Sequence, residues 1–252
     1  MRVALWQGPS PEGNLTAAMA TLQTALKAAG AAGAVMLVAP EAYLPGYNQP
    51  DLAGHALNQA GEWTRVLAAA CRTAGCGLCV GYAERAGNAV HNAAIAIGPD
   101  GGMLGHFRKI QLFGAREKAI YAPGDAYCTF DLGGVRAAIL ICYDIEFAPH
   151  VAALEALGVK IILVPTANMQ PFTHVVRATV AAMAANHGLS IVYANYCGVE
   201  GDLTYVGGSL VAAADGAILA QAGLGSALIV VDAPEVLPAH LSTQAADFRR
   251  VQ

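Results

Sequence analysis

The sequence predicts an α/β fold in which mixed sheets and helices are layered around one core. Three observations carry this expectation. Short apolar runs alternate with Ala-rich stretches of helical period along the 252 residues. Several apolar runs are joined by tight-turn signals: Gly87-Asn88, Pro99-Asp100-Gly101-Gly102 and Gly133-Gly134. Such turns connect antiparallel neighbours, so the sheets are expected to be mixed, unlike a purely parallel doubly wound sheet. The chain is 56% hydrophobic and only 13% charged, with no linker, low-complexity segment or fixed-period repeat. A single domain over residues 1–252 is therefore expected.

The elements follow in order. RVALWQ (Arg2–Gln7) has the apolar content of a strand, and the GPSPEGN behind it is a turn. Leu15 to Ala29 has helical period, with Leu15, Met19, Leu22 and Leu26 on one face. AVMLVAP is a buried strand, and Trp63 to Ala74 a second helix. GLCVGYAER, AVHNAAIAIG and MLGHFRKIQL are three strands separated by turns. Tyr127–Asp131 and Val135–Cys142 flank a hairpin at Gly133-Gly134. A helix is expected over Ala148–Leu157, then the strand KIILVPTAN. A further Ala-rich helix spans His174–His187, with Gly188 placed to end it. IVYANYCG, GGSLVAAADG and ALIVVDAP complete the strands.

Charge and cysteine usage narrow the partners. The net charge is −4 and the pI about 5.9. Lys and Arg are scattered, so nucleic acid is not an expected partner. No apolar run approaches the ~20 residues of a membrane span. The N-terminal stretch is too short for a signal peptide and reads as the first strand. A reducing cytoplasm is expected, with the six cysteines unpaired.

Chemistry concentrates at three strand ends. The run AILICYDIE delivers Cys142 from an apolar strand into a turn, where a thiolate can attack and backbone N–H groups can hold an oxyanion. Glu41 in VMLVAPEAYLPGY and Lys109 in GHFRKIQLFG are equally out of place among apolar neighbours. Each has an ordinary reading. Cys142 as an inert buried thiol, Lys109 as a lysine snorkelling to solvent, Glu41 as a cap, and Glu117 in the group at 116–118 as a solvated face all fit the local sequence.

Together these segments resemble the nitrilase superfamily of carbon–nitrogen hydrolases. PEAYLPGY, FRKIQLFG, EKAIYAPGD and ICYDIEF occur in the family's order, and the match runs nearly end to end. The resemblance implies a four-layer α-β-β-α sandwich with two mixed sheets. It also implies pairing into a homodimer or higher homo-oligomer. Residue by residue it implies Glu41 as general base, Lys109 as electrophilic amine, Cys142 as nucleophile and Glu117 as a second glutamate that sits beside the lysine and orients the site. The backbone N–H of Tyr143 is the expected second oxyanion donor.

The chemistry explains these types. A free cysteine has a pKa of about 8.5 and must lose its proton to attack an amide. Glu41 takes that proton and relays it to the departing ammonia, leaving a thioester, then activates the water that hydrolyses it. One shuttling carboxylate and one fixed cation suffice, so no metal and no cofactor are expected.

Rival constellations are weaker. Cys71, Cys76 and Cys79 have a C-x4-C-x2-C spacing, but Cys71 falls on a helix face and Cys79 inside a strand, so they should face different parts of the core. For a Cys–His hydrolase, His106 and His150 lie near the key motifs, but neither has the matching context. Cys197 is expected to be structural. No Gly-rich phosphate loop follows a strand. An interaction protein on a silent fold is disfavoured by the intact triad.

The expected substrate is a small linear, non-peptide amide. Many relatives carry arginine four residues after the cysteine, where this chain has Glu146. Glu146 is therefore expected to disfavour carboxylate-bearing substrates and favour amides with a nearby amine, such as amino-acid amides. The opposing reading has Glu146 at a subunit interface or paired with an arginine. Tyr47 and Asn168 follow strand ends on the same side and are expected to line the pocket. Alternatives are an N-carbamoyl-amide hydrolase and a nitrilase. The latter usually has Trp-Glu where this chain has Tyr143-Asp144.

Overall fold

The computed structural model describes residues 1–249. It contains two six-stranded mixed sheets with helices on their outer faces. The first sheet is built from β1 (Arg2–Gln7), β2 (Met36–Val38), β3 (Gly77–Ala86), β4 (Ala89–Ile97), β5 (Met103–Arg108) and β14 (Ala227–Asp232), in the order β14-β1-β2-β3-β4-β5. The second has β6 (Thr129–Leu132), β7 (Val135–Ile139), β8 (Ile161–Pro165), β9 (Ser190–Ala194), β12 (Leu210–Ala212) and β13 (Ile218–Gln221), in the order β13-β12-β9-β8-β7-β6. The short strands β10 (Val199–Glu200) and β11 (Leu203–Thr204) pair separately. In each sheet the central pairs are parallel and the outer pairs antiparallel.

Period-two alternation decides which residue faces which layer. Val3, Leu5, Met36, Val38, Cys79, Ala94 and Ala96 join residues of the second sheet in one core between the sheets. That core continues to Val151 and Leu154 of α4 (Ala148–Ala156) and to Val180 and Ala184 of α5 (Val180–His187). The intervening residues Ala4, Leu37, Leu78, Val80, Ile95 and Ile97 face α1 (Leu15–Ala31) and α2 (Glu62–Ala74), meeting Leu22, Leu26, Leu67 and Cys71. This is the expected α-β-β-α layering. Small residues set its spacing: a Cβ at Gly30 of α1 would stand 2.1 Å from the Ala74 carbonyl oxygen of α2.

Capping explains the helix ends. The Asn14 side chain accepts the Ala17 N–H at 2.9 Å to start α1. Gly75 and Gly188 end α2 and α5 in the left-handed conformation, the latter as expected.

Several boundaries differ from the sequence expectation. The strand expected over Met103–Leu112 stops at Arg108, because the chain turns and Asp144 Oδ1 captures the Gln111 N–H at 2.7 Å. The strand expected over Val135–Cys142 stops at Ile139, and Cys142–Glu146 is a 3-10 turn. The helix expected from His174 begins instead as a π-helical segment, Val175–Thr179, that leads into α5. A seven-residue helix, α3 (Gly114–Ile120), was not expected at all. A short C-terminal helix, α6 (Gln244–Asp247), lies near the end of the described residues. No helix among the described residues is long and apolar enough to cross a membrane.

Candidate active site

The first sheet and the helix that follows it bring three distant residues to one buried point. Glu41 lies just past β2, Lys109 just past β5, and Glu117 on α3. Lys109 Nζ donates to Glu41 Oε1 at 2.6 Å and to Glu117 Oε1 at 2.7 Å. The side chains of Lys109 and Glu41 are wholly buried and that of Glu117 is 1% exposed, so the snorkelling and solvated-face alternatives do not describe them. An ammonium has three N–H donors. Two are taken by the carboxylates, leaving one for a further acceptor.

Each carboxylate is held further. Glu41 Oε1 also accepts the Asn92 Nδ2 at 2.7 Å, from β4. The Glu41 backbone is pinned by the Tyr196 hydroxyl, which donates to its carbonyl at 2.8 Å, and by its own N–H to the Thr166 carbonyl at 3.3 Å. Glu41 Oε2 is buried and has no hydrogen-bond partner among the described residues. Glu117 Oε1 accepts the Tyr47 hydroxyl at 2.7 Å, and its Oε2 accepts the Phe113 N–H at 2.8 Å, capping α3. Good helix formers in AREKA behind Gly114 are the local signal for α3 that the sequence offered.

Cys142 opens the 3-10 turn at φ +46°, a left-handed conformation that costs a non-glycine residue about 1–2 kcal/mol. Asp144 holds this turn, accepting the Ile141 N–H at 3.1 Å and the Gln111 N–H at 2.7 Å. The same carboxylate thus ties the thiol's turn to the loop behind Lys109, a role the sequence did not reveal. The first N–H groups of a helical turn lack intrahelical acceptors. The Tyr143 N–H is one of them, directly after the thiol.

The charges are mutually arranged. Burial pushes the Glu41 carboxyl up, Lys109 opposes this and Glu117 adds to it. Burial alone would lower the Lys109 ammonium, but Glu41 and Glu117 outweigh it and hold the amine well above its ordinary value. Burial and Glu41 push the Cys142 thiol well up, while Lys109, the Thr166 hydroxyl and the Ala167 backbone pull the other way. Burial and Glu41 on one side and the Lys109 cation on the other thus set the electrostatics of the thiol. Asp144 is pushed up to about 7, chiefly by burial.

Cys142 borders a cavity of about 220 Å³. Tyr47, Tyr143, Glu146 and Asn168 line it, as do Phe113, Met169, Phe172 and His174, which the sequence did not single out. Phe113 stands edge-on to Tyr143 and Phe172 at 5.3 and 5.5 Å. Asn168 is fixed by its own Nδ2 to the Phe172 carbonyl at 3.1 Å and by its N–H to Asn195 Oδ1 at 2.9 Å. Among the described residues Glu146 pairs with neither an arginine nor a lysine; its Oε2 lies 3.7 Å from His174 Nε2.

The other constellations fall elsewhere. Cys71 and Cys76 pack in the cluster beneath the first helix layer, whereas Cys79 faces the core between the sheets. Burial raises the Cys71 and Cys76 thiols to about 12 and about 11. His106 pairs with Glu84 at 3.1 Å and His150 with the Tyr127 hydroxyl at 2.8 Å. The histidine beside the candidate thiol's cavity is His174 instead.

Comparison with known proteins agrees with this fold. The Carbon-nitrogen hydrolase family model matches residues 2–236. The "Hydrolase in pqqF 5′ region" of Pseudomonas protegens is 39% identical over 235 residues, covering 91% of this chain and 81% of its own. An (R)-stereoselective amidase from Pseudomonas sp. is 33% identical over 199 residues, covering 78% of this chain and 72% of its own. Among solved structures, a mutant of the amidase from Nesterenkonia sp. AN1, carrying acrylamide added at its active-site cysteine, is 30% identical with a TM-score of 0.88, covering 99% of this chain and 96% of its own. Sequence, fold and comparisons together establish that the chain belongs to the carbon–nitrogen hydrolase family, in the amidase-like branch of the nitrilase superfamily.

Proposed function

We propose that this protein is an amidase that hydrolyses a small linear amide to a carboxylic acid and ammonia through a thioester at Cys142. The observation that carries the proposal is the buried, unpartnered Glu41 Oε2, in a cluster that already fixes the other oxygen on Lys109. In the first half, Cys142 Sγ attacks the amide carbon while its proton passes to Glu41. The developing oxyanion takes the third Lys109 N–H and the Tyr143 N–H. Collapse breaks the C–N bond, Glu41 returns the proton, and ammonia leaves. In the second half, Glu41 takes a proton from water as the hydroxide adds to the thioester carbon. The acid departs and the proton goes back to sulfur. Lys109 stays protonated throughout, held so by Glu117.

The pocket supports the substrate class. Its volume of about 220 Å³ suits a small acyl group against Phe113, Tyr143 and Phe172. Its described lining holds Glu146 but no arginine or lysine. That favours a neutral or amine-bearing amide over an N-carbamoyl amino acid, whose carboxylate would need a cation. Tyr143-Asp144 after the thiol supports amide over nitrile. We also propose that residues 1–252 act as one domain in a reducing cytoplasm, in keeping with six free thiols, as a homodimer or higher homo-oligomer.

The test is ammonia release from aliphatic amides, amino-acid amides, carboxylate-bearing ω-amides, N-carbamoyl amino acids and nitriles. Wild type is compared with Cys142→Ala and Glu41→Gln. Release from amides that both substitutions abolish is expected, with amine-bearing members ahead of carboxylate-bearing ones. Release confined to carbamoyl compounds or nitriles, or undiminished in Cys142→Ala, would overturn the proposal.

A further inference from the structure

Strand β4 carries one side chain that packing does not explain. Its alternate residues Val90, Asn92, Ala94 and Ala96 share a face. Ala94 and Ala96 lie in the core between the sheets, and Asn92, next on that face, is wholly buried too. An amide in such a place is costly unless both its ends are hydrogen-bonded. Asn92 has one end satisfied: Nδ2 donates to Glu41 Oε1 at 2.7 Å, while Oδ1 has no partner among the described residues. The carboxylate dictates this orientation, since the flipped amide would set two acceptors 2.7 Å apart. The main chain of the same residue holds the lysine, because the Lys109 N–H donates to the Asn92 carbonyl at 2.8 Å. A core position keeps a half-satisfied amide, and the one bond its side chain makes goes to the candidate base.

We propose that Asn92 is the positioning residue of the general base: it locks the Glu41 carboxylate so that Oε2 is the oxygen that carries the proton. This rests on the amidase reading, with Glu41 as its base. A carboxylate oxygen offers about two lone-pair directions. Glu41 Oε1 uses both, for Lys109 Nζ at 2.6 Å and for Asn92 Nδ2 at 2.7 Å. The proton from Cys142, and later that from water, therefore goes to Oε2. Protonation there leaves Oε1 as a carbonyl oxygen that keeps both donors, so nothing reorganises as the proton arrives and leaves.

The Lys109 contact alone does not achieve this. The last torsion of a glutamate is broad and nearly two-fold, so a carboxylate held at one point can tilt or exchange its oxygens. Asn92 supplies the second point, from a strand paired on both sides with β3 and β5. Asn92 does not line the cavity beside Cys142, so its loss acts on the chemistry and not on binding.

The experiment follows ammonia release from propionamide and 5-aminopentanamide in wild type and Asn92→Leu, which nearly preserves volume and removes the donor. The expected fall in kcat is roughly ten- to hundredfold, with KM within about twofold of wild type. A second measurement follows alkylation of Cys142 by iodoacetamide, read on its peptide by mass spectrometry, in wild type, Asn92→Leu, Glu41→Gln and the double variant. Asn92→Leu should slow alkylation beside Glu41 but cause no further slowing beside Gln at that position, because its effect passes through the carboxylate. A kcat within about twofold of wild type would overturn the proposal. So would a rise confined to KM, which would make Asn92 a pocket residue. An equal slowing of alkylation in both backgrounds would assign it a merely structural role and overturn the proposal as well. Wild type that releases no ammonia through Cys142 from either amide would remove the amidase reading, and the proposal with it. Thermal melting checks folding, and Asn92→Ala removes the same donor should the leucine variant not fold.

Discussion

Gly81→Ala probes how tightly the fold holds Glu41. Gly81 is on β3, behind the Glu41 turn, and its backbone exchanges hydrogen bonds with that turn: its N–H donates to the Pro40 carbonyl at 3.1 Å and its carbonyl accepts the Leu44 N–H at 3.2 Å. A Cβ there would stand 2.4 Å from the Ala42 nitrogen and 2.6 Å from the Glu41 Cα. Ordinary contact begins near 3.4 Å, so the turn must retreat by about 1 Å. It cannot retreat freely, because hydrogen bonds to Tyr196 and Thr166 hold the Glu41 backbone. Losing one or two such bonds costs about 1 kcal/mol each, and overpacking adds about 1–3 kcal/mol. The total of about 2–5 kcal/mol corresponds to a fall in Tm of roughly 4–20 °C for a chain of this size. The Lys109–Glu41 contact at 2.6 Å has no slack for such a shift. A misplacement of ~1 Å at reacting groups costs about a hundredfold in rate. Calorimetry and ammonia release from an aliphatic amide measure the two effects. Gly223→Ala is the control, with nothing within 4 Å of the added carbon; it should change stability by less than about 0.5 kcal/mol. Gly81→Ala with a Tm within a degree of wild type and kcat/KM within twofold would refute the reasoning.

Two further predictions concern the thiol's turn. Cys142→Gly should abolish turnover as Cys142→Ala does, yet unfold at higher urea, by about 1 kcal/mol, since glycine adopts φ +46° without strain; equal midpoints would argue against strain at this position. Asp144, pushed up to about 7 by burial, binds its proton more tightly folded than unfolded. Its contribution to stability is therefore present below about pH 4 and is lost as pH rises through about 7. Urea unfolding at pH 5 and pH 8 should show wild type losing more stability than Asp144→Asn over that interval, and parallel losses would contradict the assignment.

The sequence by itself determined the layered α/β architecture, because strand and helix faces are written in local periodicity. Val3 and Leu5 against Ala4 is that pattern in three residues. It also placed Cys142 at the end of an apolar run and made Glu41 and Lys109 conspicuous, because polar groups that follow buried strands are locally visible. Glu117 was legible only through resemblance, since α3 is too short to show a period. What the tertiary structure alone decided is convergence. Glu41 meets Asn92 from 51 residues away and Lys109 from 68, contacts that depend on strand order and register. The capture of the Gln111 N–H by Asp144 and the approach of His174 to Glu146 likewise join separate elements. Local patterning tells a residue which face it occupies. Which distant residue shares that face is set by strand order and register, and that is a property of the whole chain.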